Sequence, residues 1–275
     1  AWAARRALPS ALGRPGAGAS HIFTVSEMDD ARATARLALA CLDLTSLNDA
    51  DTEADIARLC ERAQGPFGPT AAVCVWPRFA AFARARLPDG IAVAAVANFP
   101  DGSTDRERAL RDAGAIVQAG AQEVDVVMPW REPAAAPTLL AAVRRACDGL
   151  LLKVILETGE LEDAERVALA CRIALDAGAD FLKTSTGKTR TGATPAAARL
   201  MLKAIAADPA ARSHVGFKAA GGVRTVADAA AYLALARQTF GETTPQRFRI
   251  GASSLLDAIE AVLGGEPTPR RGQGY

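Results

Sequence analysis

From about residue 38 the chain settles into one alternation and keeps it almost to the end. Short runs rich in Val, Ile, Leu and Ala recur about eight times, separated by amphipathic segments of helical period. The runs are "LALACLDLT" (37–45), "AAVCVWP" (71–77), "IAVAAVANFP" (91–100), "EVDVVMP" (123–129), "LLLKVILET" (150–158), "DFLKTS" (180–185), "HVGFKAAGG" (214–222) and "RFRIGASS" (247–254). Runs that are apolar almost throughout, not merely at every second position, read as strands buried on both faces, the hallmark of parallel sheet covered by helices. The segments between them include "DTEADIARLCERA" (51–63), "ELEDAERVALACRIALDAG" (160–178) and "VADAAAYLALARQTF" (226–240). Helix ends are marked: Thr194 before Pro195 is an N-cap with proline at the first helical position, and Gly120 and Gly178 follow helical runs where a C-terminal cap belongs.

Eight strand-helix repeats in about 250 residues is what a (β/α)8 barrel requires. A doubly wound open sheet is the competing arrangement, but it uses fewer strands, and no nucleotide-type glycine fingerprint follows the first run. The expected fold is therefore α/β, a TIM (β/α)8 barrel, in one domain over residues 26–275. A flexible extension is expected over 1–25 and a mobile tail from about 266. The extension, "AWAARRALPSALGRPGAGAS", has arginines and no acid, like a transit segment or the remnant of a cleaved signal, but Pro9 and Pro15 interrupt any apolar stretch, and a flexible tail is the preferred reading.

Composition narrows the partners. The chain has 275 residues, with 32 basic against 31 acidic side chains, so there is no overall footprint for nucleic acid or a membrane surface. No apolar run approaches a membrane span, and a cytoplasmic protein is expected. Cys41, Cys60, Cys74, Cys147 and Cys171 are scattered, and with only His21 and His214 a Cys/His zinc site is not expected. Reduced, buried thiols are the reading for all five, including Cys74 within "VCVWP", although a thiol near the site would be open to attack by aldehydes.

Barrel strands are normally filled with Val, Ile and Leu, yet Asp43, Asp125, Lys153, Lys183 and Lys218 lie within these runs. Strand alternation lets Lys183 point inward while Leu182 faces the helices, and likewise Lys218 against Phe217 and Asp125 between Val124 and Val126. A self-satisfied buried ion network is one explanation. Such networks seldom outperform an apolar core, whereas perturbed charges gathered in a cleft mark functional sites. A lysine at a buried strand end beside a second ammonium has a depressed pKa. Its neutral amine can condense with a carbonyl to a Schiff base, whose iminium stabilises an adjacent carbanion as an enamine and permits C–C cleavage. Lys183 and Lys218 lie on successive expected strands, and Asp125 could hold and relay protons between them.

Anion recognition is the second half of the pattern. "STGK" (185–188), "AAGG" (219–222) and "GASS" (251–254) each follow one of the last three runs. Small residues let backbone N–H groups approach an anion, and barrels build phosphate sites from their late loops.

These residues resemble the class I, Schiff-base-forming 2-deoxyribose-5-phosphate aldolase family. The resemblance rests on "LDLTSLNDADTE", "EVDVVMPW", "LLKVILETGEL", "AGADFLKTSTGK", "ATPAAARLM", "VGFKAAGGVRT" and "RIGASSLL", in the family's order over most of 40–263. It implies Lys183 as the Schiff-base lysine, Lys218 as the second lysine that tunes it, Asp125 as the proton-relay carboxylate and Asp43 as a supporting polar group. Thr186, Gly187, Lys188, Gly221, Gly222, Gly251, Ser253 and Ser254 are then the residues around the substrate and its phosphate. Some relatives end in a tyrosine on a mobile tail that assists proton transfer at the enamine carbon, and Tyr275 fits that place. Ala219 stands where some relatives have proline, and "TRTGAT" (189–194) departs from the family's pattern, which leaves its substrate contacts open.

The expected activity is that of a lyase that reversibly cleaves 2-deoxy-D-ribose 5-phosphate to D-glyceraldehyde 3-phosphate and acetaldehyde, as in deoxyribonucleotide catabolism, with no cofactor and no metal. Its partners would be a small phosphosugar and aldehydes, with a homodimer as the expected assembly. The alternatives are a Schiff-base aldolase for another phosphosugar, which product analysis would separate, and a catalytically silent phosphosugar-binding barrel, which would require loss of a reacting residue.

Overall fold

A computed structural model of the protein describes residues 25–161 and 163–265. Eight strands form: β1 (Leu42–Thr45), β2 (Ala72–Val75), β3 (Ala92–Ala97), β4 (Glu123–Val127), β5 (Leu151–Ile155), β6 (Phe181–Lys183), β7 (Gly216–Ala220) and β8 (Phe248–Ala252). They pair in parallel in sequence order, and β8 returns to β1 to close the barrel, with Leu42 opposite Ile250 and Asp43 opposite Gly251. Each expected apolar run contributes one strand, so the single TIM barrel expected from the alternation is the fold observed.

Around the barrel run α2 (Glu53–Arg62), α3 (Pro77–Arg84), α4 (Arg106–Gln118), α5 (Ala136–Ala146), the single turn α6 (Thr158–Leu161), α7 (Ala164–Asp176), α8 (Pro195–Ala207), α9 (Val226–Phe240) and α10 (Leu255–Gly264). The caps follow the sequence. Thr194 accepts from the Ala197 amide with Pro195 at the first position. Thr52 with Asp55 and Thr225 with Asp228 form reciprocal capping boxes on α2 and α9. Gly120 and Gly178 take positive φ (72° and 83°) past the ends of α4 and α7.

One run divides differently from the reading above. "LALACLDLT" is helix through Ala40 and strand only from Leu42, because a helix, α1 (Val25–Ala40), precedes the barrel. Alternating Leu and Ala satisfy a helix as well as a buried strand. Ala35, Ala38 and Leu39, spaced at helical period, are the positions α1 buries, and it packs on α9 and α10 beside the β1–β8 seam. Of the extension expected over 1–25, Val25 is the first helical residue of α1. Residues 1–24, the tail from 266 and Tyr275 lie outside the described residues.

Two apolar clusters result from strand alternation. Val124, Val126, Leu182 and Phe217 face outward into the large core between sheet and helices. Cys74, Ala94, Val96, Val127 and Ile155 face inward, joined by Leu47 and Phe99. Inside the barrel, Phe181 lies against Gly216, where any Cβ would collide with its ring. Other inward positions carry charge, Asp43, Glu123, Asp125, Lys153, Lys183, Lys218 and Arg249, and that is where the candidate site lies.

Candidate active site

The inward register places ionisable side chains side by side: Asp125 pairs with Lys153 across β4 and β5, Lys183 with Lys218 across β6 and β7, and Lys218 with Arg249 across β7 and β8. Asp43 enters from β1 and Glu123 from the first position of β4. All seven are buried.

Their contacts form one cluster. Asp125 Oδ2 accepts from Lys183 Nζ at 2.8 Å and from Lys218 Nζ at 2.8 Å, while its Oδ1 accepts from Lys153 Nζ at 2.7 Å. Asp43 Oδ2 accepts from Lys218 Nζ, and its Oδ1 accepts from Arg249 NH1 at 2.7 Å. Glu123 accepts from Lys153 through Oε2 and from Arg249 NH2 through Oε1 at 2.8 Å. Within this cluster three carboxylates face four bases. Lys153 touches three carboxylates, with Asp43 at 3.5 Å, whereas Lys218 and Arg249 touch two each and Lys183 touches Asp125 alone.

That inequality sets the protonation pattern. Burial lowers the Lys183 pKa, Asp125 opposes the shift and the Lys218 charge adds to it, leaving the amine below its ordinary value. Burial also disfavours the Lys218 charge, but Asp125 and Asp43 outweigh it and hold that ammonium. Burial works against the Asp125 carboxylate too, yet Lys153, Lys183 and Lys218 together keep it well below the usual carboxylate range. The geometry is thus one poised amine beside one fixed ammonium, sharing a carboxylate oxygen.

Lys183 is also the member of the cluster that reaches open space. It lines a cavity of about 320 Å³ at the strand C-terminal ends, bounded by the loops after β1, β6, β7 and β8. Thr186, Gly187, Lys188, Gly221, Gly222, Gly251, Ser253 and Ser254 all line this cavity. Asp125, Asp43 and Lys218 lie in the cluster beside it.

Local backbone shapes the cavity wall. Gly221 and Gly222 both take φ 84°, a region that an L side chain enters only with strain, and so turn the chain sharply after β7. Gly192 packs directly on the Gly221 carbonyl, where a Cβ would collide. Ser254 makes no side-chain capping bond at the start of α10, so the first-turn amides there remain available to another acceptor. Lys188 Nζ donates to the Leu47 carbonyl at 2.6 Å, tying the β6 loop to the β1 loop across the cavity.

Several site residues escaped the sequence reading. Glu123 and Arg249 join the charged cluster from strand beginnings, where a charge reads as a flanking residue. The β1 loop, Ser46 to Asn48, with Thr45 at the end of β1 before it, and Arg224 also line the cavity. Their nearest signal was position: the first directly follows an aspartate-bearing strand, the second lies two residues past the glycine pair. Glu157 is fully buried at φ 55° after β5 and accepts from the Thr186 amide at 3.2 Å and the Thr186 hydroxyl at 2.6 Å. Burial raises its pKa against the lowering effect of those bonds. Through Thr186, whose Oγ1 in turn accepts from the Lys188 amide at 3.0 Å, Glu157 holds the loop that carries Lys188.

Among the described residues no cluster of His, Cys, Asp and Glu suits a metal ion, and no helix is long and apolar enough to cross a membrane.

A model of the DeoC/LacD family of aldolases matches residues 37–261. Among solved structures, a provisionally assigned deoxyribose-phosphate aldolase from Toxoplasma gondii ME49 superposes with TM-score 0.81 at 24% identity, over 88% of this chain and 98% of its own. Another, from Coccidioides immitis, gives 0.71 at 26% identity, over 86% and 98% of the two chains. The deoxyribose phosphate aldolase of Aeropyrum pernix, described as tetrameric, gives 0.69 at 26% identity, over 86% and 97%.

Proposed function

The chain belongs to the DeoC/LacD family of aldolases, and from that premise we propose that it forms a Schiff base on Lys183 and reversibly cleaves 2-deoxy-D-ribose 5-phosphate to D-glyceraldehyde 3-phosphate and acetaldehyde. The observation that carries the proposal is a buried lysine with lowered basicity, open to a cavity, 2.8 Å from a carboxylate oxygen shared with a second lysine. The Aeropyrum pernix and Coccidioides immitis structures support the choice of substrate.

In the cleavage direction the neutral Lys183 amine adds to the aldehyde carbon of the open-chain sugar, and loss of water leaves an iminium. The proton of the C3 hydroxyl departs through water toward Asp125 as the C2–C3 bond breaks. The bonding electrons enter the iminium, giving an enamine and D-glyceraldehyde 3-phosphate. Protonation of the enamine carbon restores an iminium, and water releases acetaldehyde and the free lysine. Lys218 keeps its charge throughout and so opposes a second positive charge on resting Lys183. Tyr275 is proposed as the group that serves the enamine carbon.

The substrate phosphate is assigned to the wall formed by Gly221, Gly222, Ser253, Ser254 and the first turn of α10. Amides and a helix start favour an anion there without burying a further base. Lys188 and Thr186 are assigned to the sugar end, held in place by Glu157.

The test is reductive trapping. Borohydride in the presence of acetaldehyde should fix a two-carbon adduct that peptide mapping places on Lys183, and Lys183→Ala should abolish it. An adduct on Lys153 or Lys188 would refute the assignment. Product analysis with 2-deoxy-D-ribose 5-phosphate against other phosphosugars tests the substrate.

A further inference from the structure

Glu123 and Arg249 take no place in the reaction above, and neither lines the cavity. They are nonetheless buried at the base of the cluster, where Arg249 bridges Asp43 and Glu123, and Glu123 bridges Arg249 and Lys153. The Arg249 guanidinium also lies over the Phe181 ring, 5.7 Å from its centroid, so the apolar base of the barrel holds it in place. A pair that only neutralised itself would leave the rest of the cluster untouched. These two residues instead hold one carboxylate and one lysine that the upper layer also uses: Asp43 is shared with Lys218, and Lys153 with Asp125.

We infer that Glu123 and Arg249 are positioning residues that set the charge balance of the barrel interior, so that Lys183 is the base left without a carboxylate of its own. With three carboxylates against four bases in mutual contact, a dry interior carries one surplus positive charge. The surplus is relieved where contact is least and water nearest, which is Lys183. The titratable groups acting directly on Lys183 are Cys74 from β2, Asp125 from β4, Glu157 from the loop after β5 and Lys218 from β7, while Asp43 from β1 and Lys153 from β5 stand one contact further away, on Lys218 and Asp125. Neither Glu123 nor Arg249 forms an ion pair with Asp125, Lys218 or Glu157, so their effect reaches Lys183 only through Asp43, Lys153 and the charge of the cluster as a whole. The inference rests on the Schiff-base reading of Lys183.

The experiment is the pH profile of kcat/KM, whose acid limb reports the free enzyme's essential base, together with KM and acetaldehyde–borohydride trapping. Arg249→Met gives three carboxylates against three bases, Lys183 keeps its proton longer, and the acid limb moves up. Glu123→Gln deepens the surplus and moves the limb down. A unit charge roughly 10 Å away at an effective dielectric of about 20 moves a titration by about one pH unit. Arg249→Lys keeps the charge and leaves the limb in place. The double variant Glu123→Gln/Arg249→Met restores the surplus and brings the limb back to its wild-type position, with KM unchanged in every case. A purely structural role would lower activity at all pH values, and two such lesions would not cancel. Should Arg249→Met fail to fold, Glu123→Gln and Arg249→Lys still carry opposite expectations, one limb moved and one fixed. Limbs that do not move, that move in the same direction, or that fail to return in the double variant overturn the inference. Absence of a wild-type adduct on Lys183 would instead overturn the Schiff-base reading.

Discussion

Lys218→Leu removes a cation while keeping most of the side chain's bulk, which isolates the electrostatic part of the Lys183 environment. Lys183 Nζ and Lys218 Nζ each lie 2.8 Å from the same Asp125 oxygen. They are therefore within the ~4–6 Å range over which like charges disturb one another. Two unit charges ~5 Å apart at an effective dielectric of about 20 repel by roughly 3 kcal/mol, equivalent to about 2 pH units. Removal also lets Asp125 Oδ2 serve Lys183 without Lys218 competing for it, which acts in the same direction. The acid limb of kcat/KM should rise by about 2 units, and activity near neutral pH should fall roughly 100-fold. Stability should suffer less than for an orphaned ion, by about 1–3 kcal/mol, because Asp43 keeps Arg249 and Asp125 keeps Lys153. The assay is kcat/KM across the pH range by coupled detection of glyceraldehyde 3-phosphate, with thermal unfolding alongside. An acid limb that stays in place while activity drops equally at every pH would show that Lys218 is a support and not a source of charge, and the reasoning would be wrong.

Three further outcomes follow from the same contacts. The Lys183 pKa lies below 10.5 in the folded chain, so between that lowered value and 10.5 the unfolded chain binds the extra proton and stability rises with pH. Lys183→Met should therefore be more stable than wild type near neutral pH, with the margin shrinking as pH climbs; a margin independent of pH in denaturant titrations would contradict the lowered titration. Gly192→Ala places a methyl against the Gly221 carbonyl and should cost about 1–3 kcal/mol while raising KM more than it lowers kcat, whereas an unchanged KM would separate this contact from the phosphate wall. All five cysteines are free and buried, with Cys41 and Cys171 pushed up to about 12 by burial, so Ellman's reagent should find no fast thiol until denaturant is added; rapid labelling of Cys74 in the folded protein would show that the site opens more widely than described.

The barrel was legible because its strands are buried on both faces, and an uninterrupted apolar run has few other uses. The first run was divided wrongly at its start, since "RLALA" suits a helix and a buried strand alike, and tertiary packing of α1 on α9 and α10 decided between them. Charge amid apolar neighbours pointed to Asp43, Asp125, Lys153, Lys183 and Lys218, all of which enter one cluster. That signal fails at strand ends, where Glu123 opens β4 and Arg249 lies second in β8. Nor could it find Glu157, since burial and a positive φ in a loop belong to three-dimensional packing and leave no mark on composition. The β1 loop stayed unread for a related reason. Its place on the cavity depends on barrel closure beside β8, which is a property of the whole ring.

Closure also has a temporal side. Asp43 meets Lys218 and Arg249 across 175 and 206 residues of chain, because the ring is completed only when its last strand reaches its first. Contacts of such separation form late, after the loops between them have been ordered. Until then the interior is wet, and Lys183 behaves as a solvated lysine, almost wholly protonated at neutral pH and only weakly nucleophilic toward carbonyls. In an emerging or half-folded polypeptide Lys183 is thus no more open to capture by aldehydes than any other solvated lysine. The proposed nucleophile acquires its reactivity at the moment the ring shuts, so maturation of the fold and arming of the chemistry are a single event.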